Sequence, residues 1–399
     1  MIRLCLLLIS LFCASSQSQQ ITNEQLTVGN KITIQSEVLK EQRELLVYLP
    51  KNYDATNRYP VIYVLDGEFY FIPTIGVVSS LSATKAIPES IVVAIPTRIR
   101  VRDYLPPIKG EAQSNQQQFI KQKFPRFGGT EKFQTFLMTE VFTYIDSHYS
   151  TLPNRTLIGH SNGGVFSLHT LLSNPDLFTN YLVISPAPWW GDAEIDSNFA
   201  SIKELTLAKN LFITLASEPG RYYAHMMRIL ANLKSHAPNS FQWQYQHLAE
   251  HTHEPSVYPA IYAGLTYLFN DFKYSPSEEL AKYGDVSPII DYYEGLSKKY
   301  GYTVDIPHSV LAQFSSQQLE LGRNEQAFET LNYFVKHNPK VAYAHQSLAF
   351  AYMRTGQYLK AKEGFSHALT LYKKNGGTDY TVVDFLNNMI SDANTKLMH

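Results

Sequence analysis

The sequence predicts an α/β fold, a doubly wound and mostly parallel sheet, followed by a small all-α region of helical repeats. Three observations predict it. Short apolar runs alternate with helical stretches from about residue 25 to residue 272. One of those runs ends in a glycine-bounded serine turn that leads straight into a helix. Beyond about Asn270 the pattern turns to helices alone, with a recurrence of 34 residues that carries Gly322 onto Gly356.

In chain order, the first stretch is set apart from the rest. Met1 to about Ser18 has one basic residue, Arg3, an apolar run from Leu4 to Cys13, and then the small residues Ala14-Ser15-Ser16. This is the form of a secretory signal peptide, too short to span a membrane, with cleavage expected between Ser15 and Ser18. Phe12 argues against lipid attachment at Cys13. The two cysteines of the chain, Cys5 and Cys13, both fall inside this leader. The mature protein is therefore expected to have no disulfide and no thiol nucleophile. With no later apolar run of 18 or more, the expected location is periplasmic or secreted.

The 399 residues allow a full catalytic domain and something more. A formal charge of −1 gives no electrostatic case for binding nucleic acid or an acidic membrane surface. The 27 tyrosines are many, and some are expected to line a pocket while most fill the core.

Lys31 to Val38 alternates apolar and polar residues and Arg43 to Leu49 follows it, an antiparallel pair at a sheet edge. Tyr59 to Leu65 is continuously apolar, as expected of a strand buried on both faces. A helix is expected near Pro73 to Lys85, and then the strand Ser90 to Ile95. Further strands are expected at the serine turn, at Tyr181 to Ile184, Leu211 to Leu215 and Phe241 to His247, with a last helix from Tyr258 to Phe269. Residues 97 to 130 break the alternation. They carry Arg98, Arg100, Arg102, Lys109, Lys121, Lys123 and Arg126 around a Gln-rich middle. A connection this long reads as a cap over a site. Its basic residues, Arg98 and Arg100 among them, would bind an anionic substrate, or would simply be a solvated charged loop.

In the tail, residues 285 to 399, Gly322, Ala327 and Leu331 recur as Gly356, Ala361 and Phe365. Phe314, Leu319 and Val335 recur as Leu348, Met353 and Leu369, with Pro339 between the units. This is the tetratricopeptide pattern. The expectation is a surface for a protein partner or for self-association.

The chemistry is carried by Asn154 to Phe166. Leu157 and Ile158 read as strand, Gly159-His160-Ser161-Asn162-Gly163 as a very tight turn and Val165 to Leu172 as helix, the G-x-S-x-G elbow of α/β-hydrolases. Glycine at the outer positions avoids side-chain clashes around the strained serine. A serine hydroxyl needs a histidine base, itself oriented by a carboxylate, in the chain order serine, acid, histidine. Glu218 follows the strand Leu211 to Leu215 and is the favoured acid, with Asp192, Glu194 and Asp196 as rivals. Leu248 to Val257 supplies His253, the first choice as base, and His251, the runner-up. His247, His251 and His253 together leave a metal site open as an alternative, since His-x-His on a strand puts both rings on one face. His160 is expected to be structural. For the oxyanion, one donor is expected at the Asn162 amide and the other at Gly67 or Glu68.

Five segments carry a resemblance: Tyr63-Val-Leu-Asp-Gly-Glu68, Arg100-Val-Arg-Asp103, Gly159-His-Ser-Asn-Gly-Gly164, Ser185-Pro-Ala-Pro-Trp-Trp190 and His253 to Leu265. They resemble an esterase family that is similar to ferric-siderophore esterases, S-formylglutathione hydrolase and feruloyl or acetyl-xylan esterases. The resemblance covers about residues 25 to 270, and Ala216 departs from it where glycine is frequent. It implies an α/β-hydrolase with Ser161 as nucleophile, His253 as base, Glu218 as acid, and Trp189 and Trp190 near the pocket. It further implies a small-molecule carboxylic ester as substrate, with no cofactor or metal. The competing expectation is a hydrolase scaffold with an inert elbow that holds a protein partner on its repeats.

Overall fold

The computed structural model describes residues 26–108, 115–187, 190, 198–204, 209–300 and 303–398. The leader, Lys109, Trp189, Asp192, Glu194 and Asp196 lie outside the described residues. The chain forms one eight-stranded sheet in the order β1-β2-β4-β3-β5-β6-β7-β8. The strands are β1 (Asn30–Ser36), β2 (Glu41–Tyr48), β3 (Tyr59–Leu65), β4 (Ile91–Ile95), β5 (Thr151–His160), β6 (Asn180–Ile184), β7 (Lys209–Ala216) and β8 (Phe241–Leu248). β1 pairs antiparallel with β2, and β2 with β4. Every pairing from β4 through β8 is parallel.

Strand β3 is buried at every position, and its alternate residues feed two cores. Val61, Tyr63 and Leu65 pack with Phe133, Phe136, Val165 and Phe166 on one face. Ile62 and Val64 pack with Phe71, Val78, Ala260 and Ile261 on the other. This is why the strand reads as an unbroken apolar run: a parallel sheet covered on both faces leaves no polar side. Helices α4 (Thr130–Phe136), α5 (Phe142–His148), α6 (Asn162–Ser173) and α7 (Arg221–His236) contribute to the first core. Helices α1 (Gly67–Ala83) and α8 (Val257–Leu268) contribute to the second.

Two expectations change in detail. The first helix starts at Gly67, so Pro73 lies inside it rather than at its beginning. The chain turns at Asp66 in the left-handed region (φ 54°), and that turn starts the helix directly at the end of β3. Residues 97–130 also hold helices, α2 (Arg100–Tyr104) and α3 (Asn115–Lys123). Helix α2 is anchored from below: Arg43 of β2 is fully buried and donates to Asp103 at 2.6 Å, and Arg102 pairs with both Glu41 and Asp103.

After α8 the chain is all helical: α9 (Glu278–Tyr283), α10 (Ser287–Tyr300), α11 (His308–Glu320), α12 (Asn324–His337), α13 (Ala342–Arg354), α14 (Tyr358–Lys374) and α15 (Tyr380–Leu397). Helices α10 and α11 put Ile289, Tyr293, Leu296 and Phe314 into the same core as α1 and α8. The tail is therefore docked through apolar packing. Its internal recurrence is visible in the helix ends: the amides of Arg323 and Gln357 both reach back five residues, to Gln318 and Tyr352 at 2.8 Å. Gly322 (φ 74°) and Gly356 (φ 77°) supply the left-handed residue that this closure requires. Among the described residues no helix is long and apolar enough to cross a membrane.

Candidate active site

The elements of the site lie at the carboxyl ends of the parallel strands β3, β5, β7 and β8, where the sheet order brings distant loops together. Ser161 follows β5 with φ 57° and ψ −115°, a backbone conformation that L-residues rarely adopt. The turn is held from both sides: the Ser161 amide donates to the Ile184 carbonyl at 3.0 Å, and its own carbonyl accepts from Val165 and Ala187. Gly159 permits this closeness, because a Cβ there would stand 2.3 Å from the Gly163 carbonyl oxygen and 2.5 Å from Ser167 Oγ. Gly159→Ala is accordingly expected to destabilise the fold by about 3 kcal/mol, the upper end for overpacking a core. A thermal unfolding midpoint equal to wild type would contradict this.

The structure brings Glu218 and His253 together. His253 Nδ1 donates to Glu218 Oε1, across 35 residues of sequence. The loops that carry them are tied by the Ser217 amide, which donates to the His251 carbonyl at 2.8 Å. An N–H on Nδ1 leaves Nε2 of the neutral ring free to accept a proton. His251 contributes its main chain to this junction and has no bond to Glu218. Among the described residues the Ser161 hydroxyl forms no hydrogen bond to His253 Nε2; in unliganded sites such bonds commonly tighten only with substrate. His247 lies beside the Tyr223 ring while His253 faces Glu218, so the histidines diverge rather than converge.

The elbow and the α1 turn stand side by side. Asn162 is the first residue of α6, and Gly67 and Glu68 are the first two of α1, so their amides belong to helix starts that lack intrahelical acceptors. Gly67 has no room for a side chain, since a Cβ would meet the β4 backbone at 2.8 Å. Glu68 turns its carboxylate to the Thr97 amide at 3.0 Å.

The basic residues are placed differently from a simple anion-binding cap. Arg100 clamps the buried Asp66 with two bonds, 2.7 and 2.9 Å, and reaches the His160 carbonyl at 3.4 Å. Burial pushes the Asp66 carboxyl up to about 6 against the pull of Arg100. Arg102 is spent on Glu41 and Asp103, while exposed Arg98 lies near the Gln42 carbonyl. Trp190 is buried, packs on Phe124 and Phe127, and donates to the Pro106 carbonyl at 3.1 Å. It thus fastens the inserted segment.

Sequence reasoning missed Asp66 and Tyr70. The Asp-Gly pair after an apolar strand is a readable turn signal. Nothing local marks Tyr70, whose hydroxyl reaches His160 Nδ1 at 2.8 Å.

Residues 36–254 match the model of the family described as "Putative esterase", and the chain belongs to that family. The Bacillus subtilis protein named "Ferri-bacillibactin esterase BesA" is 31% identical over 179 residues, 42% of this chain and 61% of its own length. The chain spans between 23% and 70% of the length of the curated relatives it matches. An IroE-like serine hydrolase from Shewanella oneidensis superposes with TM-score 0.56 at 27% identity, covering 77% of this chain and 99% of that one. An uncharacterised protein from Capnocytophaga ochracea, 16% identical, covers 92% of this chain and 99% of its own with TM-score 0.62, a likeness of fold.

Proposed function

We propose that the chain is an exported carboxylic ester hydrolase that works through an acyl-enzyme on Ser161. The observation that carries this reading is the Glu218–His253 pair, in contact with His160, the residue before a serine whose backbone is strained into an elbow. In the proposed reaction His253 Nε2 takes the Ser161 proton as Oγ attacks the ester carbonyl carbon. The tetrahedral oxyanion is received by the Asn162 amide and by that of Gly67 or Glu68. His253 then returns the proton to the departing alkoxide, and water, activated by the same ring, releases the acid. Glu218 keeps the imidazole in the tautomer this needs. No metal takes part, and turnover in EDTA is the expected result.

The substrate class we favour is a siderophore ester, supported by the likeness to BesA rather than by charge. Arg100 and Arg102 are already neutralised by acid partners, so the insertion offers less anionic attraction than its composition promised. We divide the chain into a leader, 1–18, an esterase unit, 25–272, capped by 97–130, and a tetratricopeptide-like tail, 285–399, that holds a protein partner or a second copy. The repeated helix closures support the tail reading.

Covalent labelling by a fluorophosphonate tests the function: reaction at Ser161 is expected, and a chain that resists the probe would be a binding scaffold with an inert elbow. Glu218→Gln is expected to lower kcat about ten-thousandfold while leaving the fold intact, because the charge that orients and stabilises the imidazolium is lost. Wild-type turnover in that variant would move the acid role elsewhere.

A further inference from the structure

His160 sits one residue before the proposed nucleophile; the residue is 3% exposed, and its ring lies 4.4 Å, centroid to centroid, from that of His253. Burial, with His253 and Arg100 alongside, holds its pKa down at about 3, so the ring is neutral and carries a single N–H. Nε2 faces the main-chain carbonyl of His253 at 3.2 Å. A carbonyl only accepts, so the proton is on Nε2 and Nδ1 is the acceptor. Tyr70 supplies the matching donor, its hydroxyl donating to Nδ1 at 2.8 Å. Burial also raises the Tyr70 phenol to about 12, which keeps it a donor.

This one imidazole joins three elements. It belongs to the elbow strand; Tyr70 belongs to the first turns of α1, where Gly67 and Glu68 begin; and His253 carries the proposed base. The His253 carbonyl is anchored by side chains, His160 Nε2 and the Ser256 hydroxyl at 2.7 Å.

We infer that Tyr70 and His160 form a positioning pair that sets His253 against Ser161 and the oxyanion amides by holding the His253 main chain. The inference rests on the serine esterase reading. The pair takes no proton from substrate; its effect is geometric, and a displacement of about 1 Å at a reacting group costs on the order of a hundredfold.

The test compares Tyr70→Phe, His160→Leu and His160→Gln with wild type in steady-state hydrolysis of a short p-nitrophenyl ester, in the rate of fluorophosphonate labelling and in thermal unfolding. His160→Leu is expected to lower kcat about a hundredfold with KM little changed. His160→Gln, whose amide N–H can serve the same carbonyl, is expected to recover a large part of that loss. Tyr70→Phe removes one hydroxyl at constant shape and is expected to lower kcat and the labelling rate together by about tenfold, the worth of one hydrogen bond, with an unchanged unfolding midpoint. If His160→Leu does not fold, Tyr70→Phe still decides. A labelled wild type whose Tyr70→Phe variant reacts at the same rate overturns the pairing alone. Equal losses in His160→Leu and His160→Gln, with Tyr70→Phe unaffected, reduce His160 to core packing and overturn it too. A wild type that resists the probe overturns the esterase reading and the pairing with it.

Discussion

Replacing Ser161 by alanine is expected to lower kcat for a p-nitrophenyl ester by about a millionfold, the scale seen when a serine nucleophile is removed and only binding and the oxyanion donors remain. The substitution is expected to leave the fold unchanged. The turn is held by main-chain bonds, from the Ser161 amide to Ile184 and from Val165 and Ala187 to the Ser161 carbonyl, and alanine keeps all of them. Its Cβ also occupies the same place on the positive-φ backbone. Two measurements check this together: steady-state turnover, and the unfolding midpoint of the same preparation. Turnover within tenfold of wild type would remove Ser161 from the mechanism, since no other group in the proposal can form the acyl bond.

His253→Ala is expected to cost a comparable factor, about a millionfold, because a hydroxyl without its base is a poor nucleophile near neutral pH. The informative control is His251→Ala. His251 serves the junction through its main chain, donating to the Leu248 carbonyl and accepting from Ser217. Losing its side chain is expected to change kcat by about twofold at most, the scale of a substitution away from caps, cores and charges. The reverse ranking would assign the base to His251 and require the two loops to rearrange. Adding imidazole to His253→Ala gives a second check, since a recovered fraction of turnover shows that a missing base was the defect.

The elbow was legible in the chain because its signals are local. A strand buried on both faces must be apolar at every position, and Tyr59 to Leu65 is. A serine forced to φ 57° needs glycine where neighbouring atoms crowd, and a Cβ on Gly159 would stand 2.3 Å from the Gly163 carbonyl oxygen. The helical tail announced itself similarly, through glycines that end helices at matching positions. The start of α1 is less legible: Pro73 suits a first helical turn, whereas the helix begins at Gly67 because the chain turns at Asp66.

What stayed hidden depends on which loops the sheet order makes neighbours. The residues themselves announced an α/β hydrolase scaffold and a serine, an acid and a histidine in workable order, because periodicity and turn chemistry act over a few positions. Only tertiary packing sets His253 on Glu218, across 35 residues of sequence. It also committed Arg100 to Asp66 across 34 residues, where composition alone had offered that charge to a substrate. The same packing joined Tyr70 to His160 across 90 residues, through parallel strands β3 and β5 that lie side by side. A side chain's partner is decided by distance in space, and a parallel sheet makes neighbours of segments far apart in the chain.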